Sequence, residues 1–161
     1  MYTYVTVELP QIIAANFPAR IGQQGIFGHS MGGHGALVCA LRNPHLYASV
    51  SAFAPITNPT SSEWGRKQLT AYLGDDKNAC GKHDASLLMA AKGYPGHVMI
   101  DQGGADEFYD LLRPTALNAA IAARKQSSTC RILEGYDHSY FFVSTFMEDH
   151  IAHHADVLHK F

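Results

Sequence analysis

A chain of 161 residues, 47% of them hydrophobic, is long enough to bury a core and too apolar to be disordered throughout. Twelve Lys and Arg against fourteen Asp and Glu leave a net charge of −2, so there is no basic footprint for nucleic acid or for an anionic membrane surface. No apolar run reaches the roughly 18–20 residues of a membrane span, and the low charged fraction of 16% implies either a sheet covered on both faces or surface kept for a partner.

Val5, Leu9, Ile12, Ile13 and Phe17 follow helical spacing, so residues 3–16 are predicted helical, with a kink at Pro10 or a start at Leu9. Glu8 and the lack of a basic segment argue against a signal peptide in residues 1–10. A strand is predicted over 24–28 and a helix over 31–42, stopping before Asn43-Pro44. A second strand covers 49–53, and an irregular stretch runs through Pro55, Pro59 and Trp64. Short helices are expected over 65–73 and 85–92, the latter capped by Asp84. A third strand is predicted over 97–101, a helix over 113–125 with Pro114 in its first turn, a fourth strand over 129–134 and a last helix over 140–158. Strands joined by helix-length connections make a mostly parallel sheet in an α/β fold, and no linker or repeat divides residues 1–161, which read as one domain. Cys39, Cys80 and Cys130 are odd in number and widely spaced, which fits a reducing cytoplasm better than a disulfide framework or a metal knuckle. Cys39 and Cys130 are expected in the core, and Cys80 in a polar loop.

Gly28-His29-Ser30-Met31-Gly32 is G-x-S-x-G between a predicted strand and a predicted helix. A serine on so sharp a turn needs neighbours without side chains, and Gly28 and Gly32 are expected to relieve that crowding. The same turn aims the Met31 N–H, with the positive end of the following helix, at a site where a carbonyl oxygen gains negative charge. Such a serine needs a base and an orienting acid, in the chain order Ser, acid, His. Among ten histidines, His29 is expected to leave the turn away from Ser30, and capping or surface roles suit His34, His45 and His97. His150, His153, His154 and His159 read as a solvated helix face rather than a metal site, lacking acidic or thiol partners at ligand spacing. His138 follows the fourth strand in a loop at the carboxyl edge of the sheet, where open parallel sheets put their sites, and is the candidate base. Asp101, Asp106, Glu107 and Asp110 compete for the acid. Asp106, in an expected exposed turn after Gly103-Gly104-Ala105, leads with Glu107 close behind.

Residues 26–37 (Ile-Phe-Gly-His-Ser-Met-Gly-Gly-His-Gly-Ala-Leu), 49–56, 100–103 and 134–140 (Glu-Gly-Tyr-Asp-His-Ser-Tyr) resemble the S-formylglutathione hydrolase (esterase D) family along essentially the whole chain. The resemblance implies an α/β-hydrolase fold with nucleophile Ser30, acid Asp106 and base His138, which decides between Asp106 and Glu107. It implies no cofactor or metal, a cytosolic setting, and hydrolysis of S-formylglutathione to formate and glutathione in formaldehyde removal. Trp64 is expected either to wall the acyl pocket or to pack in the interior. Family members carry an N-terminal portion with the first strands, so this chain reads as a partial domain keeping only the last four. Loss of the second oxyanion donor and an unpaired strand edge then predict weak activity and self-association into homo-oligomers. A broad carboxylesterase or acyltransferase, and a non-catalytic self-associating fragment, are the competing expectations.

Overall fold

In chain order the elements begin with a wide helical turn, Tyr4–Glu8, that runs into helix α1, Leu9–Asn16. They continue with strand β1, Gln24–His29, helix α2, Met31–Arg42, and strand β2, Tyr47–Phe53. A 3₁₀ turn, Pro59–Ser61, leads to α3, Glu63–Leu73, α4, Lys77–Gly81, and α5, Ala85–Lys92. Strand β3, Val98–Gly103, is followed by α6, Tyr109–Leu112, α7, Pro114–Arg124, strand β4, Ser128–Leu133, and α8, Tyr140–Leu158. The structure is a computed structural model and describes residues 1–20 and 22–160.

The four strands form one parallel sheet in the order β1-β2-β3-β4. All four expected strands are present, with shifted ends. β3 starts one residue late and runs on to Gly103, because Gln102 and Gly103 keep pairing with Ile132 and Leu133. The first helix opens with a π-type turn in which the Leu9 N–H reaches back to the Tyr4 carbonyl. Pro10, which has no N–H and a ring that crowds the preceding turn, accounts for the widening. In the stretch expected to be irregular, α3 begins two residues early because the Ser62 side chain accepts from the Gly65 N–H. Asp76 likewise caps the unexpected α4. Asp84 caps α5 as its position predicts, accepting from the Leu87 N–H at 3.0 Å.

Alternation along the strands decides what each face of the sheet meets. Val50, Ala52, Val98 and Ile100 point to one side, where Leu37, Val38, Leu41, Leu88, Met89, Leu117 and Ile121 of α2, α5 and α7 close an apolar core. On the other side Ser49, Ser51 and Asp101 meet α8, and the contact is polar. His154 bonds the Ser49 hydroxyl through Nδ1 (2.6 Å) and the Ser51 hydroxyl through Nε2 (2.9 Å). His150 joins Ser51 (2.8 Å) to Asp101 (3.2 Å), and its ring stacks on Phe53. Asp101 accepts two hydrogen bonds from Arg131, which also reaches Asp149. The α8 histidines therefore do not form the expected solvated face: His150 is 0% and His154 7% exposed, His153 is half-buried on the Val50 carbonyl, and only His159 faces solvent. The small hydroxyls of β2 give the imidazoles both room and partners.

Two edges depart from full coverage. Cys130, expected in the core, is exposed because β4 is an edge strand, whereas Cys39 is buried as expected and Cys80 lies half-buried in α4. At the opposite edge β1 pairs only with β2, leaving Phe27 44% exposed, and Ile12, Ile13 and Phe17 of the neighbouring N-terminal segment also face outward. The low charge of the sequence thus reflects apolar surface left open as well as burial.

Candidate active site

Ser30 stands between the last residue of β1 and the first of α2 at φ 56°, ψ −116°, a backbone conformation that residues with a Cβ avoid. The surroundings enforce it: the Ser30 N–H donates to the Phe53 carbonyl, and the Ser30 carbonyl accepts from the His34 N–H, each at 2.9 Å. A Cβ on Gly28 would run into the backbone carbonyl of Gly32, so only glycine fits there. Gly32 itself corrects the motif-based expectation, since a Cβ there meets open space. The second crowded position is Gly33, against the carbonyls of Gly28 and Phe53.

The carboxyl ends of β3 and β4 carry the other two residues. Their loops are tied together by Gly104 N–H to Leu133 O (2.8 Å) and Ala105 N–H to Tyr136 O (2.9 Å). Asp137 accepts from the Ser139 N–H at 2.9 Å, a local turn that sets His138 between them, and hydrogen bonding from the Ser139 side chain, then from this N–H, holds the exposed Asp137 carboxyl below its ordinary range. His138 Nε2 lies 2.8 Å from Ser30 Oγ, and His138 Nδ1 lies 2.7 Å from Asp106 Oδ2. A carboxylate only accepts, so Nδ1 carries the proton and donates to Asp106, leaving Nε2 to accept from the Ser30 hydroxyl. The structure thus brings Ser30, His138 and Asp106 together from three loops. Asp106 is buried rather than in the exposed turn expected, with Oδ1 accepting from the Phe108 N–H (2.8 Å) and Oδ2 from Gln102 Nε2 (2.7 Å). The rival acids point elsewhere: Glu107 and Asp110 are exposed, and Asp101 is committed to Arg131 and His150.

Met31, the first residue of α2, has no acceptor for its N–H within the helix, as the oxyanion role requires, and its side chain is exposed. Trp64, on the first turn of α3, is 40% exposed and neither fully packed nor free. It lines a cavity of about 300 Å³ with Met31, His34, Ile56, Leu69 and Tyr72. Its ring lies 5.1 Å from that of Phe108, which meets His138 edge-on at 5.2 Å. Motif reasoning passed over three neighbours. His29 lies beside the base: its ring sits 4.6 Å from that of His138, and burial, then the nearby His138, pushes its pKa down, favouring a neutral ring. His34, expected to cap or face solvent, bonds the Ile56 carbonyl at 3.0 Å in the cavity wall, with its pKa lowered chiefly by burial. Gln102, inside a strand, lies in the 100–103 stretch of the family resemblance, which marks the stretch without giving this residue a role. No cluster of three or more His, Cys, Asp or Glu able to hold a metal exists among the described residues, and no described helix is long and apolar enough to cross a membrane.

Residues 1–153 match the protein-family model described as "Putative esterase". The chain belongs to this esterase family. Among its relatives, the S-formylglutathione hydrolase of Paracoccus denitrificans (strain Pd 1222) is 60% identical over 158 residues, covering 98% of this chain and 57% of the relative. The S-formylglutathione hydrolase of Bos taurus is 51% identical over 163 residues, with the same two shares. The solved structure of an S-formylglutathione hydrolase from Agrobacterium tumefaciens superposes with a TM-score of 0.93 at 48% identity, over 98% of this chain and 57% of that one. The chain therefore spans little more than half the length of these relatives, and its four parallel strands with their helices are part of an α/β-hydrolase fold.

Proposed function

We propose that this chain carries the acyl-transfer site of a serine hydrolase that cleaves S-formylglutathione to formate and glutathione, a step of formaldehyde catabolism. The observation that carries the reading is the continuous relay from Ser30 Oγ through His138 to Asp106, at 2.8 and 2.7 Å. In this mechanism His138 Nε2 takes the Ser30 proton as Oγ attacks the formyl carbon. The imidazolium, held by Asp106, then protonates the departing glutathione sulfur. Water, deprotonated by the same nitrogen, attacks the formyl-serine and releases formate. The Met31 N–H and the N-terminal end of α2 stabilise the oxyanion in both halves. Relatives at 51–60% identity that bear this name support the substrate assignment. Free Cys39, Cys80 and Cys130 suit a reducing compartment and a cytoplasmic location. No nucleic acid, membrane or cofactor enters the scheme.

The chain spans little more than half the length of these relatives, and a site with one oxyanion donor fewer works about 10²–10³ more slowly. Following thiol release from S-formylglutathione and S-acetylglutathione, and phenol release from a short aryl ester, tests the proposal. The expected result is slow turnover, fastest on the formyl thioester and reduced to background by Ser30→Ala; turnover indifferent to Ser30 overturns it. The apolar cavity beside Trp64 favours a second reading, a carboxylesterase for larger acyl groups, which an inverted order of rates would select. The open β1 edge favours a third, self-association without turnover.

A further inference from the structure

We propose that Gln102 is a positioning residue of the relay: its side-chain amide shares Asp106 Oδ2 with His138 and thereby sets how tightly the carboxylate holds the imidazolium. The inference rests on the hydrolase reading for its function, though not for its geometry. Gln102 is 1% exposed at the carboxyl end of β3, and its Nε2 donates to Asp106 Oδ2 at 2.7 Å and to the Gly103 carbonyl at 3.2 Å. The orientation of the amide is dictated, because turning it over would aim Oε1 at two acceptors.

The opposite end makes the case stronger. Oε1 is buried with no hydrogen-bond partner among the described residues. A buried orphan acceptor is costly, and a side chain needed only for packing would be apolar. The fold tolerates the orphan and in return places a donor on one carboxylate oxygen.

Asp106 consequently accepts three hydrogen bonds: one on Oδ1 from the Phe108 N–H and two on Oδ2, from Gln102 and His138. The Gln102 donor fixes the carboxylate against rotation about its Cβ–Cγ bond. It also draws negative charge from the oxygen that faces Nδ1, so His138 releases its proton more readily to the leaving group. The other polar or titratable groups near the base are His29 from the end of β1, Ser30, Asp137 in the base's own loop, and Tyr140 at the start of α8, whose ring lies 5.7 Å from that of His29. Phe108 presents only its apolar ring.

The test compares the ¹⁵N-labelled full chain with Gln102→Met, which keeps the length and removes the donor, and Gln102→Glu, which keeps the shape and exchanges the amide for a carboxyl group. Long-range ¹H–¹⁵N spectra follow the His138 ring nitrogens against pH, and the rate of fluorophosphonate labelling is recorded in parallel. In Gln102→Met the midpoint of the ring is expected to move about 0.5–1 pH unit upward, the Nδ1–H resonance to shift, and labelling at pH 7 to fall, by at most about three- to tenfold, while recovering at pH 9. Two buried carboxyl groups at hydrogen-bond distance share a proton, so Gln102→Glu keeps a donor on Asp106 and is expected to hold the midpoint closer to the parent than Gln102→Met does. A midpoint and Nδ1–H resonance matching the parent in folded Gln102→Met overturn the proposal. The ring midpoint is read without turnover, so a parent chain that fails to label at Ser30 would sink the hydrolase reading while the spectra still decide the role of Gln102.

Discussion

Ser30 and the glycines around it show how much chemistry rests on the space one carbon would occupy. Gly28→Ala puts a Cβ into the Gly32 carbonyl and is expected to lower stability by about 1–3 kcal/mol and to suppress labelling of Ser30. Gly32→Ala adds a methyl to open space on a helix and is expected to melt no lower than the parent. Thermal melts of the two variants check this contrast, which the G-x-S-x-G pattern cannot supply because it treats both glycines alike. The meeting of Ser30 with His138 was legible because each is a polar residue just past a strand end in the chain order Ser, acid, His, whereas Asp106 was separated from Glu107 only by the family resemblance. What escaped the sequence were residues acting through space: His29, whose ring packs on the base, and Gln102, whose partner lies four positions on. A second chain of the same three residue types runs from Ser51 through His150 to Asp101 at 2.8 and 3.2 Å. It is closed off beneath α8, with all three residues fully buried, so it is expected to remain inert to any active-site reagent.

Among the elements, α8 shows best where periodicity stops being informative. Its histidines recur at helical spacing, which describes a buried polar face as well as a wet one; the hydroxyls on β2 that decide between them are a hundred positions away. Burial, followed by the neighbouring His153 and His150, lowers the His154 pKa to about 4 from an ordinary 6.5. The unfolded chain therefore binds the proton more readily, so the stability from neutral His154 is full above pH 6.5 and lost as pH falls toward 4, a span worth about 3 kcal/mol at most. His153, also lowered chiefly by burial, acts in the same direction. Burial alone would raise Asp101, but hydrogen bonds and charge from Arg131 and His150 outweigh it and keep it ionised through this window. Denaturant midpoints from pH 7 to 4 are expected to fall, and His154→Gln, which cannot titrate, to flatten the slope; an unchanged slope would remove His154 as its cause. The strands were readable for the converse reason, since short apolar runs between turn residues allow little else. The single-turn helices α4 and α6 were not, being too short for a periodic signal.

At the scale of the whole molecule, the edge formed by β1 and the N-terminal segment is the feature expected to bear on behaviour in solution. Phe27, Ile12, Ile13 and Phe17 are exposed along this edge, and an apolar sheet edge of this kind is expected to favour association over a monomer. Light scattering is expected to report a mass above 17.6 kDa that falls toward it in Phe27→Lys; a monomeric parent would contradict this expectation. Association and hydrolysis are separable, because the relay lies at the carboxyl ends of the strands and is assembled from β1, β3 and β4 loops of one chain. The decisive experiment exposes the chain to a fluorophosphonate and locates the adduct by peptide mass. A single modification on Ser30, absent in His138→Ala, is the result expected of an assembled relay; an unmodified chain, or an adduct that survives loss of the imidazole, would contradict it.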